Sequence, residues 1–368
     1  KNNPIYSLSV ERAACRSMDL SPLKTCKLKV LSLKDCGVNS LNFQPLATSP
    51  LHKLYVINCP LKKIDVSPLK NTLTELWLGT LQNTYFWEEI NHKQKKPKYQ
   101  LLDLSKMKKL KRVYACGVAS LKTVKLKDTK TKQGIRSLLE LHLYGTGIRT
   151  LDATAAKNLK RLFVGDRIRK LTVDKCKKLK EIGVINLGSK QAATIKSSSV
   201  QHIQYQGKTL KNLSFSKCPK LYTLSIKCTK VGTVNLRSNK RLHYMTLNSK
   251  KTGKVVYPKV STKGWHDCCD LVETNYYKNL DEFKNDPDAK GVYKEYVGYT
   301  LEYPTKILDI SAWTSLNKTV KRCMFGYGDF DHEKCATKKI IINKKLRKAD
   351  KKWIKKFAKK WHVKVVEK

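Results

Sequence analysis

The chain has 368 residues and a formal net charge of +47, with 76 Lys or Arg against 29 Asp or Glu. No apolar run reaches the length of about 18 residues that a membrane-spanning helix needs, and the segment KNNPIYSLSVERAAC lacks the apolar stretch of a signal peptide. Lys supplies 64 of the basic residues and Arg 12, a balance that favours diffuse attraction to polyanions over sequence-specific reading of nucleic acid. Simple solubility explains the lysines equally well.

An apolar pattern, Leu-x-x-Leu-x-Leu, recurs along most of the chain. The clearest copies begin at Leu138, Leu159, Leu179, Val200 and Leu221, in steps of 21, 20, 21 and 21 residues. Earlier copies begin at Leu28, Leu51 and Leu73, one with irregular spacing begins at Leu110, and the last regular copy begins at Leu242. A fixed period of about 21 residues is typical of a solenoid of stacked strand-and-loop units.

Each unit also has a second half, about 10 residues after the first. The segments 64–67, 102–105, 171–173 and 234–236 alternate apolar and polar residues, as half-buried strands do. An ordinary α/β domain is the alternative. It is disfavoured because no helical pattern of about 10 to 15 residues lies between the strands.

The repeats LHKLYVINCPLKKIDVSPLKN and LKRLFVGDRIRKLTVDKCKK resemble the short, cysteine-bearing repeats of bacterial leucine-rich-repeat surface proteins of the internalin J type, over about residues 20–260. The resemblance implies a β-rich leucine-rich-repeat solenoid with parallel strands and few helices. It also implies an extracellular or cell-surface protein that binds proteins or glycans. The sorting motif Leu-Pro-x-Thr-Gly of the larger internalins is not found in this chain.

Three regions are expected. Residues 1–27 form an N-terminal cap or first partial repeat, residues 28–260 form the solenoid with an insertion at about 80–99, and residues 261–368 form a C-terminal region. Within that region, an acidic segment with net charge −4 (265–337) precedes a basic one with net charge +12 (338–368). The basic segment reads as strand, helix and strand, with a helical apolar stripe at Leu346, Ala349, Trp353, Ile354 and Phe357. We expect this segment to form a small α+β C-terminal cap that closes the exposed edge of the sheet, because strands at 340–342 and 363–366 lie beside the helix. The alternative for this helix is a place on an anionic membrane.

Side chains between the repeat leucines should point outward from the first-strand sheet. Five consecutive units place a ring at the central outward position, and glutamates and arginines flank the rings. The predicted ligand-binding residues are Tyr55, Glu75, Trp77, Arg112, Tyr114, Glu140, His142, Tyr144, Arg161 and Phe163. Tyr85, Phe86 and Trp87 in the insertion are further candidates. Exposed rings often bind sugars or fill protein pockets, but a ring ladder that only stabilises its strands is the alternative.

Cysteines fall at repeat positions, where small buried side chains are needed. Cys36, Cys59, Cys176 and Cys218 are therefore expected to be buried, reduced and without a metal. The spacing of His266, Cys268, Cys269, His332 and Cys335 does not match a zinc site. A Cys323–Cys335 disulfide is left open, and Asp329, Asp331 and Glu333 match only a fragment of a calcium loop.

No catalytic motif or cofactor signature is found, so the sequence predicts a monomeric, non-enzymatic protein that binds a protein or glycan on the ring-bearing concave face, as an adhesin would. The alternative is a binder of polyanions such as teichoic acid, sulfated glycan or nucleic acid, acting through the lysine-rich loops and the convex face. Such binding would weaken steeply with salt. A structural spacer in the cell envelope is the third hypothesis.

Overall fold

A computed structural model describes residues 5–80, 97–165, 167–186, 195–259, 298–301, 305–316, 321 and 337–368. By their internal contacts these residues belong to two compact units, residues 1–200 and residues 201–368, here called the N-terminal and C-terminal units. The predicted insertion residues Tyr85, Phe86 and Trp87 lie outside the described residues. So do His266, Cys268, Cys269, Cys323, Asp329, Asp331, His332, Glu333 and Cys335.

The N-terminal unit is a stack of parallel first strands. These are β1 (Ser7–Glu11), β2 (Val30–Lys34), β3 (Lys53–Ile57), β4 (Glu75–Gly79), β6 (Arg112–Cys116), β8 (Glu140–Leu143), β10 (Arg161–Gly165) and β12 (Glu181–Asn186). Each pairs with the next in this order without a slip. The repeat leucines point inward and are fully buried, among them Leu110, so the phase of the irregularly spaced unit is confirmed.

The second halves of the N-terminal rungs take two forms. Short parallel strands form at β5 (Leu101–Asp103), β7 (Thr123–Lys125), β9 (Thr150–Asp152) and β11 (Lys170–Thr172). The first three rungs instead have 3-10 helices at Ser21–Leu23, Gln44–Leu46 and Ser67–Leu69, each with a proline in its first turn. The strand expected at 64–67 is therefore wrong. Proline fixes φ and has no N–H to donate to a ladder, and the Asp65 carboxylate caps the turn by accepting the Ser67 N–H at 2.9 Å.

The C-terminal unit begins with three strands that are much longer, β13 (His202–Ser214), β14 (Thr223–Asn235) and β15 (Tyr244–Val256), each of 13 residues. In the N-terminal rungs the chain leaves the first strand at left-handed residues such as Asp35, Asn58 and Gly117, with φ of 56°, 53° and 70°. Asp, Asn and Gly tolerate this conformation. Cys228 and Ser249 occupy the equivalent positions in β14 and β15. At these positions the strand does not end, and the parallel pairing continues on both sides of them.

Parallel pairing continues beyond residue 260. The further elements are β16 (Gly298–Leu301), β17 (Thr305–Asp309), β18 (Lys339–Ile342), helix α1 (Lys348–Lys360) and β19 (Lys364–Glu367). Strands β16 and β17 both pair with β15, and β17, β18 and β19 pair in turn. The predicted strand–helix–strand at the C-terminus is confirmed, whereas the proposed boundaries after residues 27 and 260 stay predictions.

Helix α1 buries Ile354 and Ala358, but Ala349 of the predicted stripe is exposed. The residue that turns inward beside it is Asp350, which is 1% exposed. Its carboxylate accepts hydrogen bonds from Arg347 Nε at 2.8 Å and the Leu316 N–H at 3.0 Å, which offset the cost of burying its charge. Within the described residues, no helix has the length and apolarity to cross a membrane.

The repeat cysteines Cys36, Cys59, Cys176 and Cys218 are buried, as predicted. Cys36 Sγ donates to the Lys34 carbonyl and Cys59 Sγ to the Ile57 carbonyl, both at 3.3 Å, so these two thiols take equivalent places on neighbouring rungs. Burial raises the pKa of Cys59 and that of Cys176 to about 12. A thiolate is the reactive form of cysteine, so burial suppresses reactivity both sterically and through the pKa.

We therefore expect iodoacetamide to label exposed Cys15 at least about 100-fold faster than Cys36, Cys59 or Cys176 in the native protein, because only the thiolate reacts and, of these four cysteines, only Cys15 is exposed. Site-resolved mass spectrometry over a labelling time course measures this. Unfolding in urea is the control and should make the rates similar. Fast native labelling of Cys59 would contradict its assignment as a buried rung residue.

Candidate ligand-binding surface on the N-terminal unit

The stacked first strands bring five predicted ring residues into one line. Tyr55, Trp77, Tyr114, His142 and Phe163 are successive Cα partners on β3, β4, β6, β8 and β10. They form a continuous series, called here the ring column. Their alignment follows from the sequence, since each lies between two inward apolar residues and the strands pair without a slip.

Rings in the column stack on one another. The centroid distances from Tyr55 to Phe163 along the column are 5.9, 3.9, 4.4 and 4.6 Å, and the planes of neighbours differ by 18° to 32°. The closest contact joins Trp77 to Tyr114. In this arrangement the faces of the inner rings cover each other, so their edges are what remains to be presented to solvent.

The rings are less exposed than predicted at one end of the column. His142 and Phe163 are only 7% and 5% exposed, and Glu75 is 8% exposed. The expectation that these three side chains stand open on the surface is therefore wrong. Tyr55, Trp77, Tyr114 and Tyr144 are of intermediate exposure.

Phe163 is buried because its Cα partner on the next rung is a glycine, Gly183, which leaves space for the ring. A Cβ atom at Gly183 would overlap the Phe163 ring and the Tyr144 hydroxyl. Since Gly183 is the Cα partner of Phe163, the ring can lie over the neighbouring strand, with Tyr144 5.6 Å away in a tilted contact. The glycine thus closes the ring column at this end.

A second line of side chains runs beside the rings, with charges that alternate from rung to rung. The line, called here the ion row, consists of Lys53, Glu75, Arg112, Glu140, Arg161 and Glu181 as successive Cα partners. Opposite charges on directly neighbouring strands stabilise a sheet. Lys53 and Glu181 were not among the predicted site residues, although the alternation of sign in the sequence extends to both.

Contacts in the middle of the ion row are short. Arg112 Nη1 lies 3.0 Å from Glu75 Oε2, and Arg161 Nη2 lies 2.6 Å from Glu140 Oε1. Arg112 also approaches Glu140, with 3.9 Å between Nε and Oε1. Each carboxylate is therefore compensated by at least one guanidinium, which makes its burial tolerable.

The ring column and the ion row are joined by hydrogen bonds. Trp77 Nε1 donates to Glu75 Oε1 at 2.7 Å, and the Tyr114 hydroxyl donates to Glu140 Oε2 at 3.1 Å. The Tyr55 hydroxyl donates a longer bond of 3.4 Å to Glu75. Polar ends of the rings thus tie the two lines into one network, and each residue limits the rotamers of its neighbours.

Glu140 is the centre of this network. The nearby His142 imidazole, the Arg161 guanidinium and the Tyr114 hydroxyl together lower the pKa of Glu140 to about 2, against the opposing effect of burial. His142 Nε2 lies 3.8 Å from Glu140 Oε2, which is too long for a strong hydrogen bond. Burial and the Glu140 charge raise the pKa of Tyr114 to about 12. At neutral pH the site therefore holds a carboxylate and a neutral phenol.

Arginines, rather than glutamates, meet the solvent. The side chains of Arg112 and Arg161 are 48% and 49% exposed, whereas those of Glu75 and Glu140 are 10% and 12% exposed. A guanidinium has five N–H donors in a fixed fork, and each of these two arginines donates one hydrogen bond of 3.0 Å or less to its glutamate. The surface offers further donors to an acceptor on a ligand.

No family model and no curated protein matches the chain. Among solved structures, it is similar to a TLR13–ssRNA13 complex, with 17% identity over 67% of this chain and 43% of that chain and a TM-score of 0.40. It is also similar to the functional domain of InlJ from Listeria monocytogenes, with 13% identity over 85% of this chain and 71% of that chain and a TM-score of 0.32.

A third similar structure is the leucine-rich-repeat protein LIC12759 of Leptospira interrogans, with 13% identity over 98% of this chain and 95% of that chain and a TM-score of 0.30. The chain spans less than half of the TLR13 chain that it matches. Its own repeat, together with the in-register parallel rungs of each unit, shows that the chain has the leucine-rich-repeat solenoid fold.

Proposed function

We propose that this chain is a non-enzymatic binding protein that holds a carboxylate-bearing protein segment against the ring column and ion row of the N-terminal unit. The observation that carries the proposal is the placement of Arg112 and Arg161. Both guanidinium groups are half-exposed, and they are held on glutamates whose side chains are only 10% and 12% exposed. They therefore lie beside the partly exposed rings of Trp77 and Tyr114 as a pre-formed pair of hydrogen-bond donors.

Stacking of the rings favours a protein ligand over a glycan. A sugar stacks on the face of an aromatic ring, but the faces of Trp77 are covered by Tyr55 and Tyr114, at 5.9 and 3.9 Å between centroids. The ring edges carry the positive part of the aromatic quadrupole. Edges beside two guanidinium groups suit carboxylates of a peptide or a protein loop better than they suit neutral sugar hydroxyls.

Rigidity supports the same conclusion. Ordering a flexible side chain on binding costs about 0.5 to 1.5 kcal/mol. Arg112 and Arg161 already bear short bonds to Glu75 and Glu140 in the unbound chain. A ligand would therefore meet arginines whose orientation is largely set, and less binding free energy would be lost in ordering them.

We further propose that the protein is an adhesin at a bacterial surface, that it is extracellular and that it is a monomer. This proposal is supported by the resemblance of the repeats to those of surface proteins. Antibody labelling of intact and permeabilised cells tests the location, and light scattering after size-exclusion chromatography tests the monomer. Labelling only after permeabilisation would overturn the surface assignment, and the mass of a dimer would overturn the monomer.

The binding proposal is tested with a poly(Glu-Gly) peptide, its poly(Gln-Gly) counterpart and maltohexaose as probes, at about 150 mM salt to screen diffuse attraction. We expect only the glutamate peptide to bind. The double variant R112Q/R161Q should bind it at least about 10-fold more weakly, since two charge-assisted contacts are lost. Titration calorimetry gives the affinities, and a fluorescence change that is absent in W77F places the peptide at the rings.

The matched control is R149Q/R169Q, which removes the same charge from two exposed arginines near the second-half strands. It should change the affinity by less than about twofold if long-range attraction is screened. Equal weakening in both double variants would show that net charge alone attracts the peptide. Binding of maltohexaose with a change in Trp77 fluorescence would overturn the choice of a protein ligand.

A further inference from the structure

The three long strands of the C-terminal unit lie in a part of the chain without acidic residues. Residues 201–259 contain 13 Lys or Arg and no Asp or Glu. These residues include all of β13, β14 and β15. Elsewhere in the chain lysines are interspersed with carboxylates, so this concentration of unbalanced positive charge on three adjacent strands is a distinct feature of the surface.

Five exposed lysines lie around the middle of these strands. This lysine cluster consists of Lys208, Lys227, Lys230, Lys250 and Lys251. Lys230 and Lys251 are direct Cα partners, and Lys208 and Lys250 follow Gly207 and Ser249, which pair with Cys228 on either side. Neighbouring strands are about 4.8 Å apart, so the cluster concentrates its ammonium groups within a few strand spacings.

Within the described residues, no carboxylate neutralises the lysine cluster. In the described part of the chain, Asp309 pairs with Arg237 at 3.1 Å and Lys254 at 3.3 Å. No carboxylate oxygen there lies within 4.0 Å of a cluster lysine. Like charges directly opposite on neighbouring strands are unfavourable. The lysines stay opposite each other because the other side of the same strands packs into the apolar core. There Leu210 and Val231 are Cα partners and are each 1% exposed.

We infer that the lysine cluster is a binding surface for a linear polyanion without nucleobases, whose charges are sulfate or phosphate groups. A polymer with closely spaced anions can engage several ammonium groups at once and relieve their mutual repulsion. Lysine supplies a hydrated point charge, which suits tetrahedral sulfate or phosphate groups without requiring a particular orientation. The cluster contains no aromatic residue, so it offers no stacking surface for nucleobases. This surface lies in a different unit from the ring column and does not depend on the proposed peptide site.

The test uses the full chain with heparin, inorganic polyphosphate and oligo-dT as probes, and a variant in which all five cluster lysines are replaced by Gln. At about 150 mM salt we expect heparin and polyphosphate to bind and the variant to lose at least about 10-fold in affinity. The slope of log affinity against log salt should become shallower by about 3, since each lost contact removes somewhat less than one unit. Thermal melting at low salt is a second readout. The Tm of the five-lysine variant should equal or exceed that of the parent, because the substitutions remove repulsion between like charges.

The matched control replaces five exposed lysines of the N-terminal unit by Gln, at Lys62, Lys106, Lys111, Lys160 and Lys180. It carries the same net charge as the cluster variant and should lose less than about threefold in affinity. Equal losses in the two variants would overturn the inference, because net charge would then explain the binding. It would also be overturned if neither heparin nor polyphosphate bound, or if oligo-dT alone did.

Discussion

Replacing Glu140 with Gln is expected to remove most of the acid sensitivity of the N-terminal unit. The pKa of Glu140 is lowered from 4.5 to about 2 in the folded chain, so the folded state binds the proton less readily than the unfolded state. The resulting stabilisation is complete above about pH 5 and is lost progressively as the pH falls toward 2. After a discount for solvent screening, we expect the loss to be about 2 kcal/mol.

The measurement is the free energy of unfolding by urea between pH 7 and pH 2.5 for the parent and E140Q. At pH 7 the variant should be the less stable of the two, since Arg161 and Arg112 lose a charged partner. The two curves should then converge on acidification. E11Q is the control, because Glu11 is exposed at the end of β1, and its curve should follow that of the parent. Parallel curves for E140Q and the parent would show that Glu140 does not carry the acid sensitivity.

Removal of the Trp77 ring is expected to cost the most stability of any single change in the ring column. Trp77 stacks on Tyr55 and Tyr114 and donates to Glu75 at 2.7 Å. Trp77→Ala deletes both stacking contacts and leaves Glu75, which is 8% exposed, without its shortest hydrogen bond. Because Trp77 is only partly buried, we expect a loss of about 3 kcal/mol, at the low end for a large aromatic residue.

Trp77→Phe separates the two contributions. Phenylalanine keeps the stacking but not the indole N–H, so it should cost about 1 kcal/mol, the usual net value of one hydrogen bond. Tyr6→Ala is the control for removing a large ring, since Tyr6 is 48% exposed, and its effect should be smaller than that of Trp77→Phe. Urea unfolding followed by circular dichroism gives the order. Equal stabilities for Trp77→Ala and the parent would show that the column does not hold the rungs together.

Prediction from sequence succeeded where local rules and the repeat act together. The Leu-x-x-Leu-x-Leu phase implied which residues point inward, and a constant period with unslipped pairing then implied that Tyr55, Trp77 and Tyr114 align on adjacent strands. The alternation of Glu75, Arg112, Glu140 and Arg161 follows from the same rule. Burial of Cys36 and Cys59 was predictable because a repeated small residue beside a strand end faces the same packed interior in each rung.

Other features depended on contacts that a repeat pattern does not encode. Burial of Phe163 requires an empty place on the next rung, and Gly183 provides it only because the two residues are partners across strands. The pairing of each arginine with its glutamate is decided by side-chain reach between rungs.

The sequence by itself therefore determined the fold and the composition of the surface, since the period, the alternation along each strand and the charge of each residue are local properties. The tertiary structure alone decided which side chains meet the solvent. Arg112 and Arg161 are exposed while Glu75 and Glu140 lie beneath them, because a long guanidinium side chain can reach past a carboxylate to water. Exposure is a property of how neighbouring rungs pack, and a ligand meets only what that packing leaves accessible.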